Sequence, residues 1–149
     1  MTDAEALDRQ RVLELLSTYN AGGDRGDMKA FLGTFTEDGV LETPAWRGQG
    51  PKGILDAMKT SPIPERPRFT RHMITTADIR FLADGTIESQ AYFQVNTDHG
   101  PDHGGVYHDK IVRTPEGLRF AHRRVVIDWK LPHSYQTGQS VWWADDASA

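Results

Sequence analysis

The sequence predicts an α+β fold in which helices come first and a curved antiparallel sheet second, the two enclosing a pocket. Three observations carry this expectation. Apolar residues recur at helical spacing over the first sixty positions; beyond residue 67 the pattern changes to long β-rich runs; and the connections between most of those runs are short, as an antiparallel meander requires. With 149 residues, 38% of them hydrophobic and 14 more glycine, the chain has the length and composition of one folded domain. A domain of that size buries roughly 68–70% of the surface its unfolded chain exposes, enough for a core and a pocket together. The expectation is a single domain over 1–149, with 130–149 as a C-terminal tail.

Taken in order, Thr2 followed by Glu5 reads as a capping box, and Val12, Leu15, Leu16 and Tyr19 then share one helical face, predicting a helix over 3–21. Gly22-Gly23 is expected to end it, and Asp27 to cap a short second helix carrying Phe31 and Phe35, so that Asp24 falls where the two helices meet. Val40 to Thr43 reads as a short strand stopped by Pro44, and Gly50-Pro51 opens a third helix with Ile54, Leu55 and Met58 inward. The SPIPERP stretch is a linker. Strands are predicted over 68–82, 86–97, 105–113 and 118–129, separated by ADG, a long DHGPDHG loop and TPEG. The tail from Lys130, with Trp142 and Trp143 near its end, has no period; it docks over the pocket mouth, docks on a partner subunit, or stays mobile.

Charge and composition remove several classes of function. Lys and Arg number 17 against 21 Asp and Glu, a formal charge of -4, so no basic field exists to hold a phosphate backbone and nucleic acid is not an expected partner. Cysteine is absent, which excludes disulfides, thiolate nucleophiles and Cys-ligated metals. The N-terminal MTDAEALDRQRVLELL carries charges throughout and lacks the apolar run of a signal peptide or membrane span, so a cytoplasmic protein without a membrane partner is expected. The GxSxG and phosphate-loop patterns are absent too, so no standard nucleophile or phosphate-binding loop is indicated.

Four places could carry chemistry. Asp24 is either a turn or cap residue or a functional carboxylate. His72 lies in the strand-like run RFTRHMITTADIRF, where strict alternation puts it with Ile74 and Thr76 and opposite Met73 and Thr75. There it is either a hydrogen-bonded core histidine or an acid–base group, since imidazole alone has an unperturbed pKa near neutrality. In the last strand Ala121, Arg123, Val125, Ile127 and Trp129 share a face on which only Arg123 is charged. Arg123 therefore meets an internal carboxylate or points at an oxygen in a cavity, unless the register slips by one and Arg124 takes its place. Finally, DHGPDHGGVYHD gathers His99, His103 and His108 with Asp98, Asp102 and Asp109, which invites a metal reading; the spacing fits no zinc signature, and no metal is assigned.

The segments LLSTYNAGGDRGDMKAFLGTFTEDGVLETP, RHMITTADIRF and GGVYHDKIVRTPEGLRFAHRRVVIDW together resemble the SnoaL-like branch of the NTF2-like superfamily across most of residues 5–129. The resemblance implies a cone-shaped α+β barrel with a deep apolar pocket. In that superfamily scytalone dehydratase, the bile-acid dehydratase group and hexachlorocyclohexane dehydrochlorinase use an aspartate at the helix junction and a histidine on the first long strand, positions on which Asp24 and His72 fall. Tyr19 matches a tyrosine one helical turn before the aspartate in some dehydratases, Arg123 a pocket arginine of the dehydrochlorinase, and His103 a second histidine of the scytalone enzyme. The doublet Gly22-Gly23 departs from the bulkier residues usual there, which widens the pocket or loosens the pair. Noncatalytic members, among them small subunits of ring-hydroxylating dioxygenases, share the fold.

The resulting expectation is a cofactor-independent lyase, dehydratase-like and compatible with deformylation, acting on a small apolar or aromatic substrate. His72 and Asp24 would form the acid–base dyad, and Tyr19, His103, Tyr107 and Arg123 would bind substrate. Phe69, Trp46, Tyr92 and Tyr107 are candidates for an aromatic wall or for ordinary core. The alternatives are an isomerase or polyketide cyclase-like enzyme, a noncatalytic ligand-binding or assembly subunit, and a metal-dependent enzyme built on the histidine-rich segment. The resemblance further implies a homodimer or higher homo-oligomer, with the outer sheet face as the candidate contact.

Overall fold

A computed structural model of the chain describes residues 1–63 and 65–137. Trp142 and Trp143 lie outside the described residues. The chain forms helix α1 (Asp3–Arg25), α2 (Met28–Leu32), strands β1 (Phe35–Glu42) and β2 (Arg47–Gln49), α3 (Gly50–Thr60), and then β3 (Thr70–Phe81), β4 (Ile87–Thr97), β5 (Gly100–Thr114) and β6 (Gly117–Lys130). Among the described residues no helix is long and apolar enough to cross a membrane.

At the start of α1 the Thr2 side chain accepts from the Glu5 N–H while the Glu5 carboxylate accepts from the Thr2 N–H, the reciprocal capping box. Val12, Leu15, Leu16 and Tyr19 are buried as their spacing predicts. The helix does not stop at Gly22-Gly23, however; it continues to Arg25 and closes on Gly26, whose φ of 70° is the left-handed conformation glycine supplies. The doublet serves close packing instead. A Cβ on Gly22 would sit 2.9 Å from the Phe31 backbone nitrogen, so the missing side chain lets α2 lie against the last turns of α1. Asp24 thus belongs to the last turn of α1 rather than to a turn beyond it, while Asp27 caps α2 by accepting from the Ala30 N–H at 3.0 Å.

The six strands form one sheet in the order β2-β1-β6-β5-β4-β3. β3 to β6 make the expected antiparallel meander, but β1 runs parallel to β6, so the sheet is mixed and it does not close. This is the cone of helices on a curved sheet that the sequence predicts, with α1 lying across β3 and β6 and α3 against β1 and β2. Register irregularities decide which side chains face inward. A bulge at Thr75 breaks the alternation after Ile74, so Thr76 turns out to solvent and Ala77, Ile79 and Phe81 face in. On β6 the extra residues Ala121 and Asp128 keep Phe120, Arg123, Val125 and Ile127 buried together; Ala121 and Trp129 leave the face on which strict alternation would put them.

The DHGPDHG segment is a correction of larger consequence. Only Asp98 and His99 lie between β4 and β5, and the remainder is strand. Glycine, proline and aspartate are poor strand formers, yet here the strand needs them. Gly100 closes the turn at φ 94°, and a Cβ on Gly104 would lie 2.9 Å from the Phe93 carbonyl oxygen. Asp102 is the extra residue of a bulge, because Val95 pairs with His103 and Asn96 with Pro101. That bulge lets two consecutive residues, Asp102 and His103, both be buried.

Candidate active site

Between α1 and the inner sheet face lies a cavity of about 280 Å³, walled by rings that include Phe31, Trp46, Phe93, Tyr107 and Tyr135. Its polar lining includes Asn20, Arg66, Thr70, His72 and His103. A larger groove, about 570 Å³, runs along α1, α2 and the β5–β6 turn, but it is open to solvent and lined by Arg11, Glu14, Lys29 and Arg119 without any candidate catalytic group.

The last turn of α1 brings Asp24 against the first residues of β3. One carboxylate oxygen accepts from the His72 backbone N–H at 2.8 Å; the other accepts from the Thr70 hydroxyl at 2.8 Å and meets His72 Nδ1 at 2.5 Å. An ionised carboxylate can only accept, so Nδ1 carries the proton and donates. Nε2 has no protein partner among the described residues, and His72 lines the cavity. Burial works to raise the Asp24 pKa, yet the hydrogen bonds from His72 and Thr70 outweigh it and hold the carboxyl below its ordinary value. The Gly22-Gly23 doublet therefore leaves the pair in tight contact.

A second imidazole faces the same space. His103 is 2% exposed, its ring centroid is 6.5 Å from that of His72, and its Nδ1 meets Asp102 Oδ2 at 2.7 Å. Burial lowers the His103 pKa, the Asp102 carboxylate pulls it back up, and the net shift is downward, which favours the neutral ring near pH 7. Asp102 itself is held below the ordinary range: burial opposes its ionisation, but hydrogen bonds from His103 and Ser134 prevail.

Tyr19 and Tyr107 also line the cavity, and burial raises both of their pKa values, Tyr107 well above the ordinary 10, so each phenol keeps its proton. Tyr107 stacks on Phe93 with centroids 4.2 Å apart, and its hydroxyl donates to Asn20 Oδ1 at 3.3 Å. Arg123 is placed elsewhere. Fully buried, it donates from Nε and Nη2 to the two oxygens of Asp109 at 2.7 Å each, with Tyr19, Tyr107 and Phe120 packed on its guanidinium at 4.0–4.2 Å. Of the two fates the sequence left open, it meets an internal carboxylate and does not reach the cavity wall, while Arg124 on the opposite face is exposed.

Of the aromatic candidates, Trp46 and Tyr107 line the cavity, whereas Phe69 and Tyr92 are 43% and 51% exposed. The histidines of the DHG segment disperse: His99 is at the exposed turn, His108 faces away from the buried Tyr107 and Asp109, and only His103 points inward. Asn20, Thr70 and Tyr135 are not among the candidates read from the sequence, and Asp102 entered only through the metal reading of the DHG segment, not as a partner of His103. Thr70 was within reach, two residues before His72 on the same strand face; the bulge that turns Asp102 inward left no local signal.

A model of the SnoaL-like domain family matches residues 4–124. The chain belongs to that family. This SnoaL-like chain is 35% identical over 63 residues to the anthranilate 1,2-dioxygenase small subunit of Burkholderia cepacia, an alignment covering 39% of each; it therefore spans about two fifths of the length of the curated relative it matches. Among solved structures it superposes on a protein assigned as a scytalone dehydratase from Novosphingobium aromaticivorans DSM 12444, with a TM-score of 0.77 and 16% identity, covering 97% of this chain and 99% of that one. It also superposes on the hexachlorocyclohexane dehydrochlorinase LinA-type3 of Novosphingobium barchaimii LL02, with a TM-score of 0.74 and 18% identity, covering 87% and 93%. At these identities the likeness is one of fold.

Proposed function

We propose that this SnoaL-like protein is a cofactor-independent lyase that carries out a dehydratase-like elimination on a small apolar or aromatic substrate. One observation carries the reading: the His72 imidazole has one nitrogen fixed on an ionised aspartate and the other open to a ring-walled cavity. In the reaction, His72 Nε2 takes a proton from a substrate carbon beside a carbonyl. The freed electron pair forms the new double bond as the β-substituent leaves; when that substituent is hydroxyl, the His72 imidazolium returns its proton to it and water departs. Asp24 keeps the ring in the required tautomer and stabilises the imidazolium. Tyr19, protonated at working pH, can donate to the oxygen on which negative charge develops, while the Tyr107 hydroxyl spends its proton on Asn20. His103, with its Nδ1 proton engaged by Asp102, offers a lone pair at Nε2 and would orient a substrate hydroxyl.

Dehydration and dehydrochlorination, for which two of the superposed structures are named, are both eliminations, which supports this choice over isomerisation or ring closure. The likeness to a dioxygenase small subunit favours a second reading, an assembly subunit without catalysis. The test is turnover of a panel of β-hydroxy carbonyl compounds and halogenated rings, followed by absorbance of the new double bond, for wild type, His72→Ala and Asp24→Asn. Circular dichroism checks that each variant is folded. A positioned acid–base pair supplies ~10²–10⁴-fold in rate, and His72→Ala is expected to lose a factor in that range. Full turnover in both variants on a substrate that wild type converts would overturn the mechanism. No turnover by wild type, together with stable association with a larger oxygenase subunit, would favour the assembly reading.

A further inference from the structure

His103 is held by a carboxylate that is itself held by the tail. Beyond β6 the chain turns back over the end of β5. The Leu131 N–H donates to the Asp102 carbonyl at 2.9 Å, the Ser134 hydroxyl to Asp102 Oδ2 at 2.5 Å, and the Tyr135 N–H to Asp102 Oδ1 at 3.3 Å. The Tyr135 ring then packs edge-on to His103 with centroids 5.5 Å apart, and Tyr135, Gln136 and Thr137 form part of the cavity wall. Asp102 Oδ2 thus receives two donors, the Ser134 hydroxyl and His103 Nδ1. Asp102 is 2% exposed, and both of its oxygens are engaged by these groups.

We infer that Asp102 and Ser134 are positioning residues for His103, the tail segment 131–137 serving as a strap that closes the cavity and, through Asp102, fixes which nitrogen of His103 faces it. This rests on the cavity being the reaction site, but the contacts and their test stand without any substrate. A carboxylate beside an imidazole could swing or share its charge among several donors. With Ser134 and the Tyr135 N–H in place its direction is set, His103 Nδ1–H becomes the remaining donor it accepts, and Nε2 is left for a ligand. Removing the Ser134 hydroxyl concentrates the carboxylate's charge on the imidazole and admits water beside it, and both effects favour the protonated ring.

The charged and titratable groups facing His103 are Asp102 next to it, His72 on β3, Lys130 on β6 and Tyr135 on the strap. The probe is ring NMR titration of His103 in the full chain, assigned among the six histidines with His103→Gln. In wild type, the ring nitrogen shifts should report a proton on Nδ1, and the ring should titrate below an ordinary histidine. Ser134→Ala should move that titration upward, and Ser134→Thr, which keeps the hydroxyl, should leave it at the wild-type position. With Asp102→Asn already in place, adding Ser134→Ala should move it no further, because Ser134 acts through that carboxylate. An unmoved titration in Ser134→Ala, equal shifts in the Ala and Thr variants, or an equal shift in the Asp102→Asn background would each overturn the inference. If Asp102→Asn does not fold, the Ala and Thr pair decides alone. None of these outcomes depends on turnover, so failure here is distinguishable from failure of the lyase reading.

Discussion

Each histidine in the cavity has one nitrogen held by an aspartate, and the two aspartates reach it by different routes: Asp24 from a helix end across 48 positions of sequence, Asp102 from the adjacent residue across a bulge. Both carboxyls are held below their ordinary value, and pH dependence tests this for Asp24. Because the folded Asp24 carboxyl lies below the ordinary 3.8, its contribution to stability is complete above that value and is lost as pH falls through the lowered folded one. Urea unfolding at about pH 6 and about pH 3 should therefore show a smaller acid-induced loss in Asp24→Asn than in wild type; equal losses would contradict the ionised pair. Arg123 raises a separate question of stability. Its guanidinium and Asp109 are fully buried, and Ser89 donates to the same carboxylate at 3.0 Å. Asp109→Asn should cost ~3–5 kcal/mol by leaving a buried charge without its partner, whereas the double replacement Arg123→Met with Asp109→Leu should recover much of that loss. Denaturant midpoints measure both.

At the scale of elements, the glycine doublet in α1 allows a paired prediction. Both glycines sit inside a helix, where alanine is favoured by ~1 kcal/mol. A Cβ on Gly23 would meet only the Phe31 ring at 3.5 Å, an ordinary contact, so Gly23→Ala should stabilise the fold by about that amount. A Cβ on Gly22 would lie 2.9 Å from the Phe31 backbone nitrogen, so Gly22→Ala should push α2 away and destabilise by ~1–3 kcal/mol despite its better helix propensity. Equal effects at the two positions in denaturant unfolding would show that propensity, not packing, governs this junction. The same reasoning explains why the doublet looked like a helix end. A glycine pair followed by Asp and Arg is the local signature of a stop, and only the approach of α2 turns it into a packing surface. The DHGPDHG segment misleads in the same way: Gly, Pro and Asp read as loop, while the strand uses them for a turn, a bulge and a close backbone approach.

For the whole molecule, the outer face of the meander leaves Met73 and Tyr92 exposed at 38% and 51% on the neighbouring strands β3 and β4. Homodimerisation through that face predicts a dimer by sedimentation at micromolar concentration and a monomer for Tyr92→Glu; a monomeric wild type would defeat it. Leaving open whether Arg123 or Arg124 faces inward on β6, the sequence by itself determined that the helices precede the meander and how α1 and α2 are capped. These follow from local rules, hydrophobic period and turn chemistry, that act within a few residues. It also named Tyr19, His72, His103 and Tyr107, which line one cavity, and Asp24, which holds His72 there. Tertiary structure alone decided the parallel pairing of β1 with β6, the fate of Arg123 beneath the cavity rather than in it, and the burial of Asp102 beside His103. Each depends on register between segments far apart in the chain, and a single extra residue in a strand reverses which side of the sheet its neighbours occupy.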